Sequence, residues 1–236
     1  MKKPALDARL RAAAAYVRQD AVFADVGTDH AYLPLFLLSE KRISRAVLTD
    51  INEGPLARAR EHSASYPYIS KMTFHLTNGL EGLADAGITD VAVCGMGGEL
   101  IADILSRAPF VKDPAVHLIL QPMTRPAQLR AYLAKEGFAI LSETFVKAAG
   151  KSYVCILAAY SAEPYALSPF AEEFGGFPDV NNEAFRFYFS SRERALRGAA
   201  QGMEQGGGAS AALSELLKEI DRFKEENQME NAYDGK

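Results

Sequence analysis

The chain has 236 residues, 48% apolar and 24% charged, with a formal net charge of -4. That is enough for one packed α/β domain with an appendage; no apolar run escapes charged interruption for long enough to span a membrane. The acidity is uneven: residues 1–159 carry 18 basic against 16 acidic residues and residues 160–236 carry 8 against 14, while the first nineteen hold Lys2, Lys3, Arg9, Arg11 and Arg18 against Asp7 alone. The net charge does not advertise a nucleic-acid binder, and a polyanion would meet the N-terminal segment before the tail. A solvated helix face accounts for the same charges.

In chain order, Leu6–Val17 predicts an Ala-rich helix with Leu6, Leu10, Ala13, Ala14 and Val17 on one face. Strand one is Val22–Val26. Ala31–Lys41 is an apolar helix that tolerates Pro34 in its first turn. Arg45–Asn52 is a second strand, Pro55–Ser65 a helix, and Met72–Thr77 a third strand stopped by Asn78-Gly79. Asp90–Cys94 is a fourth strand, stopped by Gly95-Met96-Gly97-Gly98. Glu99–Arg107 is a helix with Leu100, Ile101, Ile104 and Leu105 facing inward. Val116–Leu120 is a fifth strand ending at Gln121-Pro122, and Arg125–Glu136 is a helix ended by Gly137. Ala139–Val146 and Tyr153–Tyr160 are two further strands joined at Ala148–Lys151 as a hairpin. Pro164–Pro178 reads as a linker. Asn182–Gln205 and Ser210–Asn227 have helical spacing on either side of Gly206-Gly207-Gly208 and form a helical hairpin. In the first of them Gly198 and Gly202 weaken the helix or let the two helices approach closely. Phe185, Phe187, Tyr188 and Phe189 are core at that spacing, with base stacking the alternative. Met229–Lys236 is expected to fray.

Five β–α units followed by an antiparallel pair imply a doubly wound, Rossmann-like sheet, whose ligand sits beyond the carboxyl ends of the strands. The terminal antiparallel hairpin is the pattern of class I methyltransferases rather than dehydrogenases. Residues 1–162 are expected to form that domain, with an N-terminal helix, and residues 163–236 a linker and a C-terminal, coiled-coil-like helical hairpin.

The first strand's end, Ala24-Asp25-Val26-Gly27-Thr28-Asp29-His30, is not the G-x-G-x-x-G of dinucleotide binding. Asp29 stands where the second glycine would be, so two carboxylates occupy the place of a pyrophosphate. A cationic ligand without phosphate fits, and S-adenosylmethionine is one; a strand with a capping Asp is the structural alternative. Asp50, at the end of strand two, suits a pair of ribose hydroxyls, or caps the next helix. Asn78-Gly79-Leu80 lies where methyltransferases hold the cofactor's adenine, and is equally an ordinary turn. Cys94-Gly95-Met96-Gly97-Gly98 leaves backbone groups open to a flat ligand and also caps a helix. Cys94 has no nearby histidine to activate it; with Cys155 it reads as a buried thiol in a reducing cytoplasm. Met1–Ala5 lacks the apolar core of a signal peptide. His30 either points at the ligand or hydrogen-bonds Asp29. His62, His75 and His117 have no metal spacing, and no metal is expected.

Val26–Pro34, Asn78-Gly79-Leu80, Cys94–Gly98, Leu120-Gln121-Pro122 and Lys151-Ser152-Tyr153 together resemble the bacterial TrmK family, tRNA N1-adenine methyltransferases acting at tRNA position 22. The resemblance runs from about Leu6 to Tyr160 and loosely into the helical hairpin. It implies S-adenosylmethionine as donor, held by Asp25, Gly27, Asp29, His30, Asp50, Ile51, Asn78, Gly79, Leu80 and Cys94. It implies tRNA as acceptor, its target base held by Tyr32, Gly95–Gly98 (Gly95, Met96, Gly97, Gly98), Gln121 and Pro122. Lys2, Lys3, Arg9, Arg11 and Lys151 are then candidate phosphate contacts. N1 of neutral adenine carries a lone pair, so no catalytic base is required; Asp29 is the candidate for electrostatic help. A cytoplasmic monomer or weak oligomer is expected. The alternatives are a methyltransferase for a small-molecule or protein amine, or a non-catalytic S-adenosylmethionine-binding scaffold.

Overall fold

Strand β1 (Ala21–Val26) lies at the centre of a seven-stranded sheet, flanked by β2 (Ile43–Asp50) and β4 (Asp90–Gly97). The computed structural model describes residues 4–205, 208 and 210–229. With β3 (Met72–Leu76), β5 (His117–Thr124), β6 (Phe138–Ala148) and β7 (Lys151–Tyr160), the order is β3-β2-β1-β4-β5-β7-β6. The first five strands are parallel, and β7 runs antiparallel between β5 and β6. The chain therefore reverses its direction of travel across the sheet between β1 and β4, which opens a crevice at their carboxyl ends. The expected doubly wound sheet with a terminal antiparallel hairpin is what the chain builds.

Both faces of the sheet are covered, which is why its central strands are nearly continuous apolar runs. Ala24, Val26, Val91, Val93, Leu118 and Leu120 belong to one core and Phe23, Leu48, Ala92 and Ile119 to the other. Helices α1 (Ala8–Tyr16) and α2 (Tyr32–Ser39) cover the second core; α4 (Gly98–Ser106) and α5 (Pro126–Lys135) cover the first. Helix α3 (Glu53–Ala64) follows β2 and contributes Ala59 to the second core. Asp7 caps α1 by accepting the Leu10 N–H at 2.9 Å. Ala149 and Gly150, both at positive φ, close the β6–β7 hairpin in the two-residue form that matches strand twist.

The glycine-rich stretch after Cys94 does not stop β4. The strand runs to Gly97, pairs with β5 as far as Thr124, and absorbs two register shifts around Met96. Gly95, at φ +83, accommodates the bulge. Leu100 does not face inward: it is 48% exposed, because Ile101, Ile104 and Leu105 fix the phase of α4.

The linker holds a helix of its own, α6 (Pro169–Phe174), capped by Ser168 with proline at its first position. Phe174 is fully buried and stacks near Phe170 and Phe189. Helices α7 (Glu183–Gln205) and α8 (Ala211–Glu226) form the expected hairpin. Phe185 and Phe189 are core and Tyr188 packs partly buried against it, as their spacing indicated, with Leu196, Leu216 and Ile220; Phe187 is not core, and Lys147 Nζ lies 5.0 Å over its ring. Gly198 and Gly202 do not mediate close helix approach, since a Cβ at either would meet nothing within 4 Å. Glu193–Lys224 at 3.0 Å and Arg197–Asp221 tie the two helices instead. Gly206, Gly207 and residues 230–236 lie outside the described residues.

These C-terminal helices are fastened to the sheet by a fully buried ion pair. Arg130 of α5 donates from Nε to Glu143 of β6 at 2.7 Å, both side chains 0% exposed. Arg130 Nη1 also donates to the Glu172 carbonyl at 2.9 Å, and Glu143 Oε2 accepts the Gly176 N–H at 2.9 Å. Burial opposes the guanidinium's charge, but Glu143 and the hydrogen bonds more than offset it, so its pKa lies above the ordinary value. Gly175, at φ +89, is obligatory here because a Cβ would collide with the Glu143 carboxylate.

Glu143→Leu should lower unfolding free energy by about 3–5 kcal/mol, since it leaves a buried guanidinium uncompensated. In urea unfolding, the double variant Arg130→Met/Glu143→Leu should recover most of that loss. An equal loss in the double variant would assign the cost to packing rather than to charge.

Candidate functional site

The carboxyl ends of β1, β4 and β5 open into a cavity of about 200 Å³. β1 delivers Asp25 to it, and the chain turns at Gly27 with φ +74. The Gly27 and Thr28 N–H groups both donate to the Thr49 carbonyl, at 2.8 and 3.0 Å, so the turn is anchored on β2. The positive φ at Gly27 is what calls for glycine; a Cβ there would also have to push aside the flexible Met96 methyl. Among the described residues no cation pairs with Asp25. Burial pushes its carboxyl up to about 6, against a smaller downward pull from the Thr28 hydroxyl.

Asp29 also lines the cavity, but its charge is already matched. Arg58 of α3 reaches Asp29 Oδ1 at 2.6 Å, and His30 Nε2 lies 3.5 Å from Oδ2. The His30 carbonyl is 2.6 Å from His62 Nδ1, and Tyr32, His62 and Tyr66 stack edge to face with centroids 5.2 and 5.5 Å apart. These contacts hold the loop whose Ala31 sits at φ +54. Sequence reasoning missed Arg58 and His62, although with Tyr66 they recur every four residues along and just beyond α3.

The opposite wall comes from β4, β5 and α1. Cys94 and Gly95 line it, with Gln121 and Arg9. Burial raises the Cys94 thiol well above its usual pKa, so it stays protonated and is not a nucleophile. The Arg9 guanidinium sits 5.4 Å over the Tyr153 ring and pairs with Asp7 at 2.6 Å. The structure thus brings together Arg9, Asp25, Gly27, Asp29, His30, Tyr32, Cys94, Gly95 and Gln121, which lie far apart in sequence.

Other candidate residues stand outside this cavity. Asp50 ends β2, one strand over, and accepts the Asn52 N–H at 2.8 Å; Ile51 beside it is 63% exposed. Asn78 ends β3's loop near Arg107, at 3.4 Å, and Gly79 packs on Ile104. Leu80 is buried in the core, so its side chain does not face a ligand. Met96 covers Gly27, and Pro122 is buried opposite it in β5. Gly97 abuts Thr124, and Gly98 is pressed onto the Arg125 carbonyl within α4; neither is open to a flat ligand. The extension of β4 as paired strand is the reason. Arg11 donates to the Leu6 carbonyl and lines a separate hollow between α1 and α2. Lys151 sits at the hairpin tip beside a hollow lined by α7. Lys2 and Lys3 lie outside the described residues. Among the described residues no group of three or more His, Cys, Asp or Glu could hold a metal ion, and no helix is long and apolar enough to cross a membrane.

Residues 6–156 match the family model described as a methyltransferase domain. A tRNA (adenine(22)-N(1))-methyltransferase of Bacillus subtilis is 32% identical over 158 residues, 67% of this chain and 66% of that protein. The solved TrmK of B. subtilis superposes with a TM-score of 0.78 at 28% identity, over 94% of this chain and 97% of that one. The chain belongs to the methyltransferase-domain family and, within it, to the bacterial TrmK group. A putative tRNA (m1A22) methyltransferase of Streptococcus pneumoniae, solved in complex with S-adenosyl-L-methionine, has a TM-score of 0.80 at 29% identity, over 92% of this chain and 99% of that one. The sequence matches span between 61% and 66% of the length of the curated relatives. In this TrmK-group protein the switch-point crevice, not the hairpin of α7 and α8, carries the cavity around Asp25.

A raised carboxyl pKa makes its stability contribution complete below the unfolded value, near 4, and loses it as pH rises through about 6. The ligand-free Asp25→Asn variant should therefore melt higher than wild type at pH 7, by the equivalent of about 2–3 kcal/mol at most. The gap should close as pH falls to about 4. Thermal melts of both proteins across that range measure it, and parallel curves would remove Asp25 from the pH dependence.

Proposed function

We propose that this chain methylates N1 of the adenosine at position 22 of tRNA, with S-adenosylmethionine as methyl donor. The observation that carries the reading is Asp25: a carboxylate with no partner cation among the described residues, held against its own burial at the switch point of a TrmK-group fold. The structure's residues fit the donor. A ligand with a sulfonium and an ammonium supplies the positive charge that pairs with Asp25, and Gly27 makes the tight turn that ends β1 at the cavity. Asp50 would accept hydrogen bonds from the ribose hydroxyls, exposed Ile51 would lie against the adenine, and Asn78-Gly79 would border its edge. From Leu80 only the backbone is available. When bound, S-adenosylmethionine supplies an electrophilic methyl group.

The chain's own task is then alignment and water exclusion rather than proton abstraction, because N1 of neutral adenine is already nucleophilic. N1 lies on the Watson–Crick edge, so the adenosine has to be extruded into the cavity. Tyr32 and Gly95 border the entrance and Gln121 the wall. Asp29, paired with Arg58, serves to fix the loop and leaves the counter-charge to Asp25. Arg9 and Lys151 are surface cations suited to phosphates, with Arg11, Lys2 and Lys3 as the remaining candidates. We place the enzyme in the cytoplasm, as a monomer or weak oligomer; two free cysteines, one buried and one half-buried, accord with a reducing compartment.

Incubation of the protein with unmodified tRNA and S-adenosylmethionine, followed by nucleoside mass spectrometry, should yield 1-methyladenosine confined to position 22. No gain, with donor binding confirmed separately, would pass the acceptor to a small-molecule or protein amine, or leave a binding scaffold. In calorimetric titration, Asp50→Ala should weaken S-adenosylmethionine binding at least tenfold, the equivalent of about 1.4 kcal/mol or more. Unchanged affinity would take Asp50 out of the site.

A further inference from the structure

Two buried polar atoms of cavity-lining residues, Thr28 Oγ1 and Gln121 Oε1, have no hydrogen-bond partner among the described residues, and Gln121 is the one on the β4–β5 wall. Gln121, at the carboxyl end of β5, is 1% exposed, and its Oε1 has no hydrogen-bond partner among the described residues. Its orientation is fixed from the other end of the amide. Nε2 donates to the Pro122 carbonyl at 3.0 Å and approaches Met123 Sδ at 3.7 Å. Both neighbours are acceptors, so the amide nitrogen belongs on that side and the oxygen on the other. Buried carboxamides are normally satisfied, and an unfilled acceptor in a ligand cavity marks a place for a donor.

We propose that Gln121 selects adenine, its Oε1 accepting a hydrogen bond from the base's 6-amino group while N1 is left facing the cavity. This rests on the tRNA-methylation reading above and names the residue that reads the base. Adenine offers a donor at position 6 beside a bare acceptor at N1. Guanine and hypoxanthine reverse both, with an oxygen at position 6 and a hydrogen on N1. An oxygen held at Oε1 therefore accepts adenine and repels the other two, and their N1 has no free lone pair. The side chains around it match such a wall. Met123 Sδ is shared by Gln121 Nε2 and by Arg9 Nη1 at 3.0 Å, and the Arg9 guanidinium rests on Tyr153. Met123 is exposed and Arg9 partly so; they bear on the Nε2 end of the amide and so help to fix which way Oε1 points.

The test compares tRNA carrying adenosine at position 22 with the same tRNA carrying purine riboside there, which keeps the N1 lone pair and lacks the 6-amino group. Single-turnover rates are measured for wild type, Gln121→Met and Gln121→Glu, with melting temperature and S-adenosylmethionine affinity as controls on the fold and donor site. Wild type should prefer adenosine at least tenfold. Purine N1 is intrinsically the weaker nucleophile, so the decisive quantity is how the preference changes with the variant. Gln121→Met should reduce the preference at least tenfold relative to wild type, with donor affinity within twofold. Gln121→Glu, which keeps an acceptor, should retain most of it. Equal wild-type rates on the two tRNAs would overturn the assignment whatever the variants do, as would a Gln121→Met preference within twofold of wild type. Absence of wild-type turnover on adenosine-22 tRNA, with donor bound, would instead overturn the tRNA reading on which the assignment stands.

Discussion

The buried pair of Arg130 and Glu143 holds the two parts of the chain in one structure. Neither charge would survive in the core alone; each is tolerable because of the other and of the backbone of α6 and its following turn, which bonds Arg130 Nη1 and Glu143 Oε2. The pair joins α5, the edge strand β6 and the segment leading to α7. Tyr188 extends the same network by donating to the Glu173 carbonyl at 2.9 Å, and Glu173 takes Arg192 in a two-point contact. Helices α7 and α8 are thereby seated on the outer half of the sheet, and the core runs without a break from Leu118 and Phe145 to Phe189 and Ile220. Such a pair adds less to stability than apolar residues of the same volume would. What it contributes is direction, because only one arrangement of α6 satisfies it.

The opposite compromise is made at the carboxyl edge. Ladder bonds and apolar contacts hold most of the sheet's interior, and at the switch point the chain keeps a carboxylate where burial disfavours its charge and an amide oxygen with no partner among the described residues. Both reduce the stability of the ligand-free chain. Their neighbours do not relieve them: Arg58 is committed to Asp29, and Arg9 to Asp7 and Tyr153. Under the proposed reading, Asp25 and Gln121 Oε1 are the groups that bound ligands would complete.

Much of this was legible in the sequence, and what was not has identifiable causes. The parallel strands could be read because burial on both faces leaves apolar runs bounded by acids and glycines, as at Val22–Asp25 and Ala46–Asp50. The hairpin was readable from Ala149-Gly150. The end of β4 was misjudged because glycines usually stop a strand, whereas Gly95 and Gly97 here let it continue through a bulge. Helix α6 was hidden between prolines and two glycines, and its seat depends on Arg130 and Glu143, thirteen residues apart on a helix and a strand; no local pattern announces such a pair. Leu100 was misplaced because four apolar residues in six allow more than one helix phase. At the site, Asp25, Gly27, Cys94 and Gln121 follow directly from the rule that ligands gather at strand ends. The Arg58–Asp29 pair does not, since it depends on how α3 lies against the β1 loop.

The division of labour at the cavity follows from the order of the strands. β1 ends in Asp25 within the cavity and β2 in Asp50 one strand over, outside it; this is the side to which the proposed reading assigns the donor's positive charge and ribose hydroxyls. β4 and β5 present a protonated thiol, a bulged backbone and a neutral amide, and α1 leans Arg9 across the top of that side. One flank carries the carboxylates; the other combines a protonated thiol and a neutral amide with the Arg9 guanidinium at its rim, already matched by Asp7. A reaction in which an electrically neutral ring nitrogen attacks a cationic methyl donor asks for that asymmetry: counter-charge behind the donor, and geometric selection with no base in front of the acceptor. The Cys94 thiol, kept protonated by burial, does not interfere with such a reaction, whose nucleophile arrives with its lone pair already free.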